Sequence, residues 1–382
     1  MRLLLFLLIF LATLRSYYFY GLGTSIDNLA LFVAFIVAVV LRIGTRPLPK
    51  EALLLSFVVL IALFGGFAIT LFTSAPLKLA TPAAIAVFLV CGLIATKLME
   101  RTEWRFGVEQ AIRATLLIHA VFLMTQLLVT YVLGVHLDFL VVVTGEESRN
   151  FGGSGYNFGL GSMYRPSGLT NEPGTYAAYI LPLIALQLTI RRYRVDRVIL
   201  LSLLSVLATF SSQGIAGAIL IIMVVLYNNR GPYTAIALPI FGIVGFLTAS
   251  VAIWERIFLK DEYQDLSVTN RIDSTQQAFS QMLGNGFIEP TIGIADSTTI
   301  VYWWWYCGLF AVPLLLFFAW LGLKYFRFLG LLFLILFTSK VPAAAPMYWL
   351  LIGLGVGMAL AVKKQTKVRS DFTGVPIRSV LS

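Results

Sequence analysis

The sequence predicts an all-α polytopic membrane protein, and three observations support this fold class. Hydrophobic residues make up 59% of the 382 positions and charged residues only 12%, whereas a soluble protein carries about 25% charged residues. Apolar stretches recur along the whole chain, and no polar segment is large enough to fold separately in water. Lys and Arg residues gather between particular stretches. We therefore expect one integral membrane domain over residues 1–382.

The apolar stretches predict about 12 membrane-spanning helices. The first stretch begins with Arg2 and a leucine-rich run, like a signal peptide, but no small-x-small cleavage site follows it. We therefore interpret it as a retained helix. The expected spans are residues 3–20, 26–42, 52–72, 79–97, 112–134, 173–190, 197–210, 213–227, 234–253, 300–320, 328–340 and 346–362.

The basic residues predict which helix ends face the cytoplasm. With the N-terminus inside, most of the 28 Lys and Arg residues fall in cytoplasmic loops or in a C-terminal tail at 363–382. Two loops that are longer than simple turns, residues 135–172 and 254–299, then face outward. The formal charge of +10 follows from this asymmetry and does not indicate nucleic-acid binding. We expect an inner-membrane protein with both termini in the cytoplasm and any chemistry facing outward.

A polar break interrupts the apolar region at 197–227. This region has no charge after Arg197 and has basic residues on both sides, so both of its ends should be cytoplasmic. It is long for one helix and short for two. We expect two short helices that meet at Ser211-Ser212-Gln213-Gly214 near the outer surface, where polar backbone must be buried in protein or line a wet cavity.

A second polar cluster lies where the first long loop ends. Arg165 precedes Asn171, Glu172 and Pro173. Pro173 suits the first turn of a helix, and Asn171 and Glu172 suit its cap and its positive end. The simple interpretation is a well-capped helix with Arg165 paired to a lipid phosphate or a loop acid. The functional interpretation is an anion site, because an arginine donates two parallel hydrogen bonds to a phosphate.

The second long loop contains Arg271, then Gly284-Asn285-Gly286, then Asp296-Ser297. The simple interpretation is a solvated helix, a glycine turn and another helix cap. In the expected topology, however, the helices beginning near 173, 213 and 300 all point their N-terminal ends outward. Helix N-termini favour anions, so two arginines near them are consistent with a site for an outer-leaflet pyrophosphate.

These motifs, in this order, resemble the signature of bacterial O-antigen and exopolysaccharide polymerases of the Wzy type and of the related O-antigen ligases. The resemblance rests on Arg-x-x-Gly-Leu-x-x-Glu-Pro at 165–173, the serine-rich break, Arg271, the Gly-x-Gly at 284–286 and the polar pair at 296–297. It covers about residues 150–315. Similar ligases carry His-Asn in place of Asp296-Ser297 and asparagine in place of Glu172. Both differences favour a polymerase.

The resemblance implies an inverting, metal-independent glycosyltransferase with a GT-C-like fold and no cofactor. Its substrates would be undecaprenyl-pyrophosphate-linked oligosaccharides, and its partners would be membrane lipids, a chain-length regulator and a flippase. Arg165 and Arg271 would hold the donor pyrophosphate, and Asp296 or Glu172 would orient or deprotonate the attacking hydroxyl. The remaining substrate contacts implied are Ser211, Ser212, Gln213, Gly284 and Gly286.

Two other functions remain open on the sequence. One is an O-antigen ligase that transfers the glycan to lipid A core. The other is a transporter or flippase of lipid-linked sugars, which should place ionisable residues near the middle of the membrane. The expected topology instead puts the charges at the outer mouth. Residues 302–306, Tyr-Trp-Trp-Trp-Tyr, are expected there as an interfacial aromatic belt. The functional alternative for this segment is sugar stacking or a rim for lipid entry. The polymer could be O-antigen, capsule or exopolysaccharide.

Replacing Asp296 with asparagine separates capping from proton transfer. Asparagine caps a helix as well as aspartate does, so Asp296→Asn should be silent if capping is the whole role. If the carboxylate accepts a proton, turnover should fall by about 10²- to 10⁴-fold. The measurement is the single-turnover rate with saturating lipid-linked substrate, compared with the yield of folded protein. A rate close to that of the wild type would remove Asp296 as the base.

Overall fold

The computed structural model describes residues 1–19, 24–42, 47–73, 76–100, 102–144, 156–157, 162–229, 266–288 and 297–373. Side chains at 19, 24, 156–157, 162–163, 266–272, 327–328 and 365–373 are outside this description. The helices are α1 Arg2–Ala12, α2 Leu29–Val40, α3 Lys50–Thr73, α4 Ala80–Leu98, α5 Thr102–Leu133, α6 Phe139–Thr144, α7 Pro173–Ile190, α8 Arg197–Ala208, α9 Ser212–Asn228, α10 Leu266–Ser280, α11 Thr299–Cys307, α12 Val312–Lys324, α13 Leu331–Thr338 and α14 Pro346–Thr373.

Short irregular elements join these helices. Two antiparallel pairs of two-residue strands are present, β1 Tyr18–Phe19 with β2 Thr24–Ser25, and β3 Tyr156–Asn157 with β4 Ser162–Met163. Single turns of 3₁₀-helix occupy Ile26–Asn28 and Gly308–Ala311, and a π-helical turn occupies Phe326–Gly330.

The described chain is that of a helical membrane-embedded protein. In the described ranges, six helices are long and apolar enough to cross a membrane: Lys50–Thr73, Ala80–Leu98, Thr102–Leu133, Pro173–Ile190, Thr299–Lys324 and Pro346–Lys364. Shorter apolar helices, including α8 and α9, make up much of the rest. The expected span at 234–253 lies outside the described residues.

The first helix ends earlier than the sequence indicated. Its helical hydrogen bonding stops at Ala12 and not near residue 20, because polar side chains follow that cannot stay in an apolar span. Thr13 Oγ1 donates to the Phe10 carbonyl at 2.6 Å and lies 2.7 Å from His119 Nε2. Arg15 and Ser16 come next. The prediction of a single span over 3–20 was therefore wrong about the helix end.

Two helices form the centre of the bundle. In both α7 and the apolar part of α14, 83% of the residues in an 18-residue stretch are buried. This is typical of a helix that is covered on all sides. Close backbone contacts join α14 to α4: a Cβ on Gly353 would lie 2.0 Å from the Gly92 carbonyl oxygen. Small residues at such positions allow membrane helices to approach closely.

The predicted turn between two short helices is present. α8 ends at Ala208 and α9 begins at Ser212, with Ser211 as its N-cap. The Ser211 hydroxyl accepts a hydrogen bond from the Gly214 N–H at 3.4 Å. Phe210 has a φ of +49°, a backbone conformation that a bulky residue seldom adopts. The sharp turn therefore depends on strain at Phe210 and on the cap at Ser211.

Ion pairs collect at the end of the bundle where α7 ends and α8 begins. Asp196 caps α8 by accepting a hydrogen bond from the Ile199 N–H at 2.9 Å. Its carboxylate also pairs with Arg191 and lies 3.5 Å from Arg113. This is the end to which the sequence assigned the basic clusters.

The α4–α14 contact generates a stability prediction. Gly353→Ala forces two backbones apart, and overpacking of this kind costs about 1–3 kcal/mol. We expect the apparent melting temperature of the purified protein to fall by roughly 2–10 °C. Gly322→Ala is the matched control, since its Cβ would meet only Phe333 at 3.5 Å. Equal melting temperatures for the two variants would contradict the close contact.

Candidate functional site

Gln126 fixes the segment that precedes α7. This α5 side chain is fully buried, and its Oε1 accepts hydrogen bonds from the N–H groups of Ser167 at 2.9 Å and Gly168 at 2.8 Å. Its Nε2 donates to the Leu137 carbonyl at 2.7 Å. Gly168 has a φ of +59°, and a Cβ there would contact Tyr176 at 3.2 Å. The glycine of the Arg-x-x-Gly-Leu motif is therefore required by the backbone and by close packing.

Arg165 lies against the α8–α9 turn. Its Nε donates to the Thr209 carbonyl at 3.3 Å, two residues before Ser211. The structure thus brings together two of the polar clusters that the sequence singled out. Next to it, the Tyr164 carbonyl accepts a hydrogen bond from the Tyr131 hydroxyl at 3.1 Å. Burial, with the nearby charge of Asp138, raises the pKa of Tyr164 to about 12, so its phenol is neutral at physiological pH.

Glu172 begins α7 without capping it through its side chain. Its backbone is extended, and Pro173 occupies the first turn as the sequence indicated. The carboxylate Oε1 instead accepts a hydrogen bond from the Thr175 hydroxyl at 3.1 Å and forms an ion pair with Lys340. Lys340 is 9% exposed and lies between α13 and α14. Simple helix capping by the Glu172 carboxylate is therefore excluded, and sequence reasoning had missed its partner.

The loop that carries Lys340 also holds the start of α11. The Thr299 N–H donates to the Ser339 carbonyl at 3.3 Å. Its hydroxyl lies 3.1 Å from the Val341 carbonyl oxygen and 3.2 Å from that of Leu336. The N-terminal ends of α7 and α11 therefore adjoin the same short loop, residues 339–345.

The end of α1 joins the same region. Ser16 Oγ lies 3.2 Å from Asn171 Oδ1 and accepts a hydrogen bond from the Asn171 N–H at 3.0 Å. Arg15 lies among Asp27, Tyr179 of α7 and Tyr302 of α11. Asp27 is 3% exposed and accepts a hydrogen bond from Ser25. For the residues that these adjoining segments carry, Arg15, Arg165, Glu172, Thr299 and Lys340, we use the name α7 cluster; the described contact of Arg165 within this region is with the Thr209 carbonyl.

Gly284 and Gly286 are explained by packing. Both are buried and have positive φ angles of +80° and +71°. A Cβ on Gly284 would lie 2.5 Å from the Gly308 nitrogen, and one on Gly286 would lie 2.4 Å from Thr70 Oγ1. Between them, the Asn285 N–H donates to the Trp305 carbonyl at 2.7 Å. Their role as substrate contacts stays a prediction, since close backbone approach alone requires glycine here.

Two residues of the predicted site lie outside the description. Asp296 is not among the described residues, and Arg271 belongs to α10 without a described side chain. Ser212 and Gln213 occupy the first turn of α9, exposed and half-buried respectively. Their roles, like those of Arg271 and Asp296, stay predictions.

The aromatic segment is part of the core and not an interfacial belt. Trp303 and Trp305 are 0% and 2% exposed, and the Trp303 indole donates to the Tyr348 hydroxyl at 3.3 Å. The prediction of an aromatic belt at 302–306 was therefore wrong: these rings are mostly buried, and Trp303 packs against Tyr348 and Trp349 of α14. An open apolar groove lies instead beside the α8–α9 turn, lined by Met124, Leu127, Leu128, Tyr131, Val132 and Phe210.

The described residues hold no group of three or more His, Cys, Asp or Glu side chains that could bind a metal ion. What they define is a class: a helical membrane protein with an ordered cluster of charges where α1 ends and α7 and α11 begin. No protein family, curated protein or solved structure matches the chain. The resemblance to polymerases therefore stands on the motif residues alone.

The Gln126 contacts generate a matched pair of variants. Gln126→Leu removes three hydrogen bonds, each contributing about 0.5–1.5 kcal/mol, and frees the segment before α7. Gln187→Leu is the control, because that buried amide in α7 has no hydrogen-bond partner among the described residues. We expect Gln126→Leu to melt at a lower temperature than Gln187→Leu and to be cut faster by protease between 164 and 172. Equal behaviour of the two variants would contradict the assignment.

Proposed function

We propose that the chain is a polysaccharide polymerase that joins undecaprenyl-pyrophosphate-linked repeat units at the periplasmic face of the bacterial inner membrane. The observation that carries the proposal is the position of Arg165, which is fixed beside the α8–α9 turn and a few residues before α7. The order of motifs from 165 to 297 supports the choice of chemistry. About 12 spans and cytoplasmic termini are part of the same proposal.

The charges of the α7 cluster, taken together with that of Asp27, suit an anionic substrate. Arg15, Arg165 and Lys340 supply three cations, against the carboxylates of Glu172 and Asp27. The positive ends of α7 and α11 add partial charge of the same sign. Arg165 can present a planar fork to a phosphate. Lys340 is paired with Glu172 and Arg15 lies near Asp27, so Arg165 and the two helix ends are the described groups that best suit a pyrophosphate.

The groove beside Phe210 supports a lipid-linked form of that substrate. Its lining is almost wholly apolar, and Tyr131 joins it to Tyr164, the residue before Arg165. An isoprenoid chain in this groove would place its pyrophosphate near Arg165. The basic ion-pair cluster around Asp196 lies at the other end of α7, which supports an orientation with the α7 cluster outward.

The proposed reaction is an inverting displacement. A hydroxyl of the acceptor repeat unit attacks the anomeric carbon of the growing glycan. The bond from that carbon to the pyrophosphate oxygen breaks, and the electron pair leaves with the lipid pyrophosphate. Arg165 and Arg271 stabilise the negative charge that develops there, and Asp296 accepts the hydroxyl proton. No metal ion is required by these steps.

Two alternatives are distinguished by substrate. An O-antigen ligase would use the same donor and chemistry but lipid A core as its acceptor. A transporter of lipid-linked sugars is favoured by the buried charges of Asp27 and Lys340, since ionisable residues inside a bundle often line substrate paths. A transporter would move lipid-linked repeats across a vesicle membrane without joining them.

Removing either arginine should abolish polymer formation while leaving the protein in the membrane. Arg165→Ala and Arg271→Ala each remove a fixed charge from the leaving group, and we expect about a 10²-fold loss of turnover or more. Arg165→Lys should rescue poorly, because lysine lacks the bidentate fork. The measurement is polymer formed by purified protein from lipid-linked repeat units.

Arg113→Ala is the control for these variants. Arg113 lies at the opposite end of the bundle, 3.5 Å from Asp196, and is 39% exposed. It should keep turnover close to that of the wild type. Near-normal polymer from Arg165→Ala would remove Arg165 as a pyrophosphate ligand.

A further inference from the structure

Lys340 is a buried lysine at the junction of three helices. It follows α13 and precedes α14, and its ammonium pairs with the Glu172 carboxylate at the start of α7. Its side chain is 7% exposed and that of Glu172 is 18% exposed. An ammonium that loses most of its hydration needs a nearby carboxylate to remain charged. The place of Lys340 therefore depends on that of Glu172.

The ammonium also lies against the first turn of α7. A Cβ on Gly174 would be 3.2 Å from Lys340 Nζ and 3.6 Å from Glu172 Oε1. The N-terminal end of a helix carries partial positive charge and disfavours a cation. The Glu172 carboxylate reverses the sign of this local field. Glu172 thus stabilises Lys340 at a position where the helix alone would repel it.

The backbone around Lys340 positions α11. The residues on either side of it, Ser339 and Val341, each offer a carbonyl to Thr299. A displacement of Lys340 would therefore displace the first residue of α11. Asp296, the proposed base, lies three residues before Thr299 in the chain. The ion pair thus connects the segment that carries Arg165 to the segment that carries Asp296.

The contacts of Glu172 argue against a role in proton transfer. Its Oε1 both pairs with Lys340 and accepts a hydrogen bond from the Thr175 hydroxyl. A proton on either oxygen of this carboxylate would remove the negative charge that pairs with Lys340. It would also leave the Lys340 ammonium beside a neutral group at a positive helix end.

We propose that Lys340 is a positioning residue of the candidate site. Its ion pair with Glu172 holds the start of α7 and the start of α11 in fixed relation. Glu172 acts as one half of this pair and not as the proton acceptor. The statement about proton transfer rests on the proposed function, whereas the coupling of the two residues does not.

The test is a double-mutant cycle with Glu172→Gln, Lys340→Met and the two changes combined. Lys324→Met is the matched control, because Lys324 pairs with Glu51 at 3.2 Å away from the α7 cluster. The melting temperature, kcat and KM are measured on purified full-length protein with lipid-linked repeat units. Each single variant should lower kcat by roughly 10-fold, and by less than 10²-fold, with KM little changed, and Lys324→Met should not.

The combined variant decides the proposal. It should melt higher than the lower-melting single variant and keep a kcat no lower than that of Glu172→Gln, because it no longer buries one charge beside a neutral side chain. Additive effects in the cycle would overturn the coupling. A combined variant that folds as the wild type does, with kcat still lowered by about 10²- to 10⁴-fold, would instead make Glu172 the base and overturn its assigned role.

Failure of the proposed function is distinguishable from failure of this inference. If the wild-type protein joins no repeat units, the polymerase assignment is lost. The melting temperatures of the four proteins still report whether Glu172 and Lys340 are coupled.

Discussion

A buried ammonium in an apolar bundle constrains everything around it. Lys340 is 9% exposed among helices that are almost wholly apolar, and its charge requires a carboxylate close by. Glu172 meets this requirement at the start of α7. The pair fixes the loop 339–345 against α7, and that loop in turn receives the first residue of α11. This electrostatic contact between distant parts of the chain thus helps to order the charged residues at this end of the bundle.

Neutral hydrogen bonds complete the same end of the structure. Gln126 binds the backbone before α7, and Ser16 binds Asn171. These side chains belong to α5 and to the segment after α1. The Thr209 carbonyl binds Arg165 and Lys340 pairs with Glu172, so four parts of the sequence contact the short stretch 165–172. Backbone that leaves a helix inside a membrane protein must find such internal partners. A stretch held in this way can keep Arg165 in one place while a substrate binds and leaves.

Much of this fold could be predicted from the sequence, because apolar stretches and the charges between them can be recognised within short segments of the chain. The turn between α8 and α9 was predicted because the apolar region is too long for one helix. The place of Pro173 in the first turn of α7 was predicted because proline has a fixed φ that suits this position. The sequence placed Arg165 and that turn on the same face of the bundle, but it did not predict the hydrogen bond between them.

The rest could not be predicted, since it depends on contacts between distant segments. Lys340 stood alone between two apolar stretches and showed no pattern that would name Glu172 as its partner. Gln126 looked like any polar residue within an apolar helix. The aromatic run at 302–306 had the composition of an interfacial belt, but Trp303 and Trp305 are buried in the core, and Trp303 packs against Trp349 of α14. An indole ring is suited to either place, and only the packing of neighbouring helices decides between them.

The most direct measurement is the reaction of the pure wild-type protein alone. The protein is reconstituted in liposomes with isotopically labelled undecaprenyl-pyrophosphate-linked repeat units and EDTA, and the products are separated by size. The account predicts a ladder of glycans that remain lipid-linked and differ by one repeat unit. It also predicts release of one lipid pyrophosphate for each bond formed. Repeat units that stay single, or that cross the membrane without being joined, would contradict it.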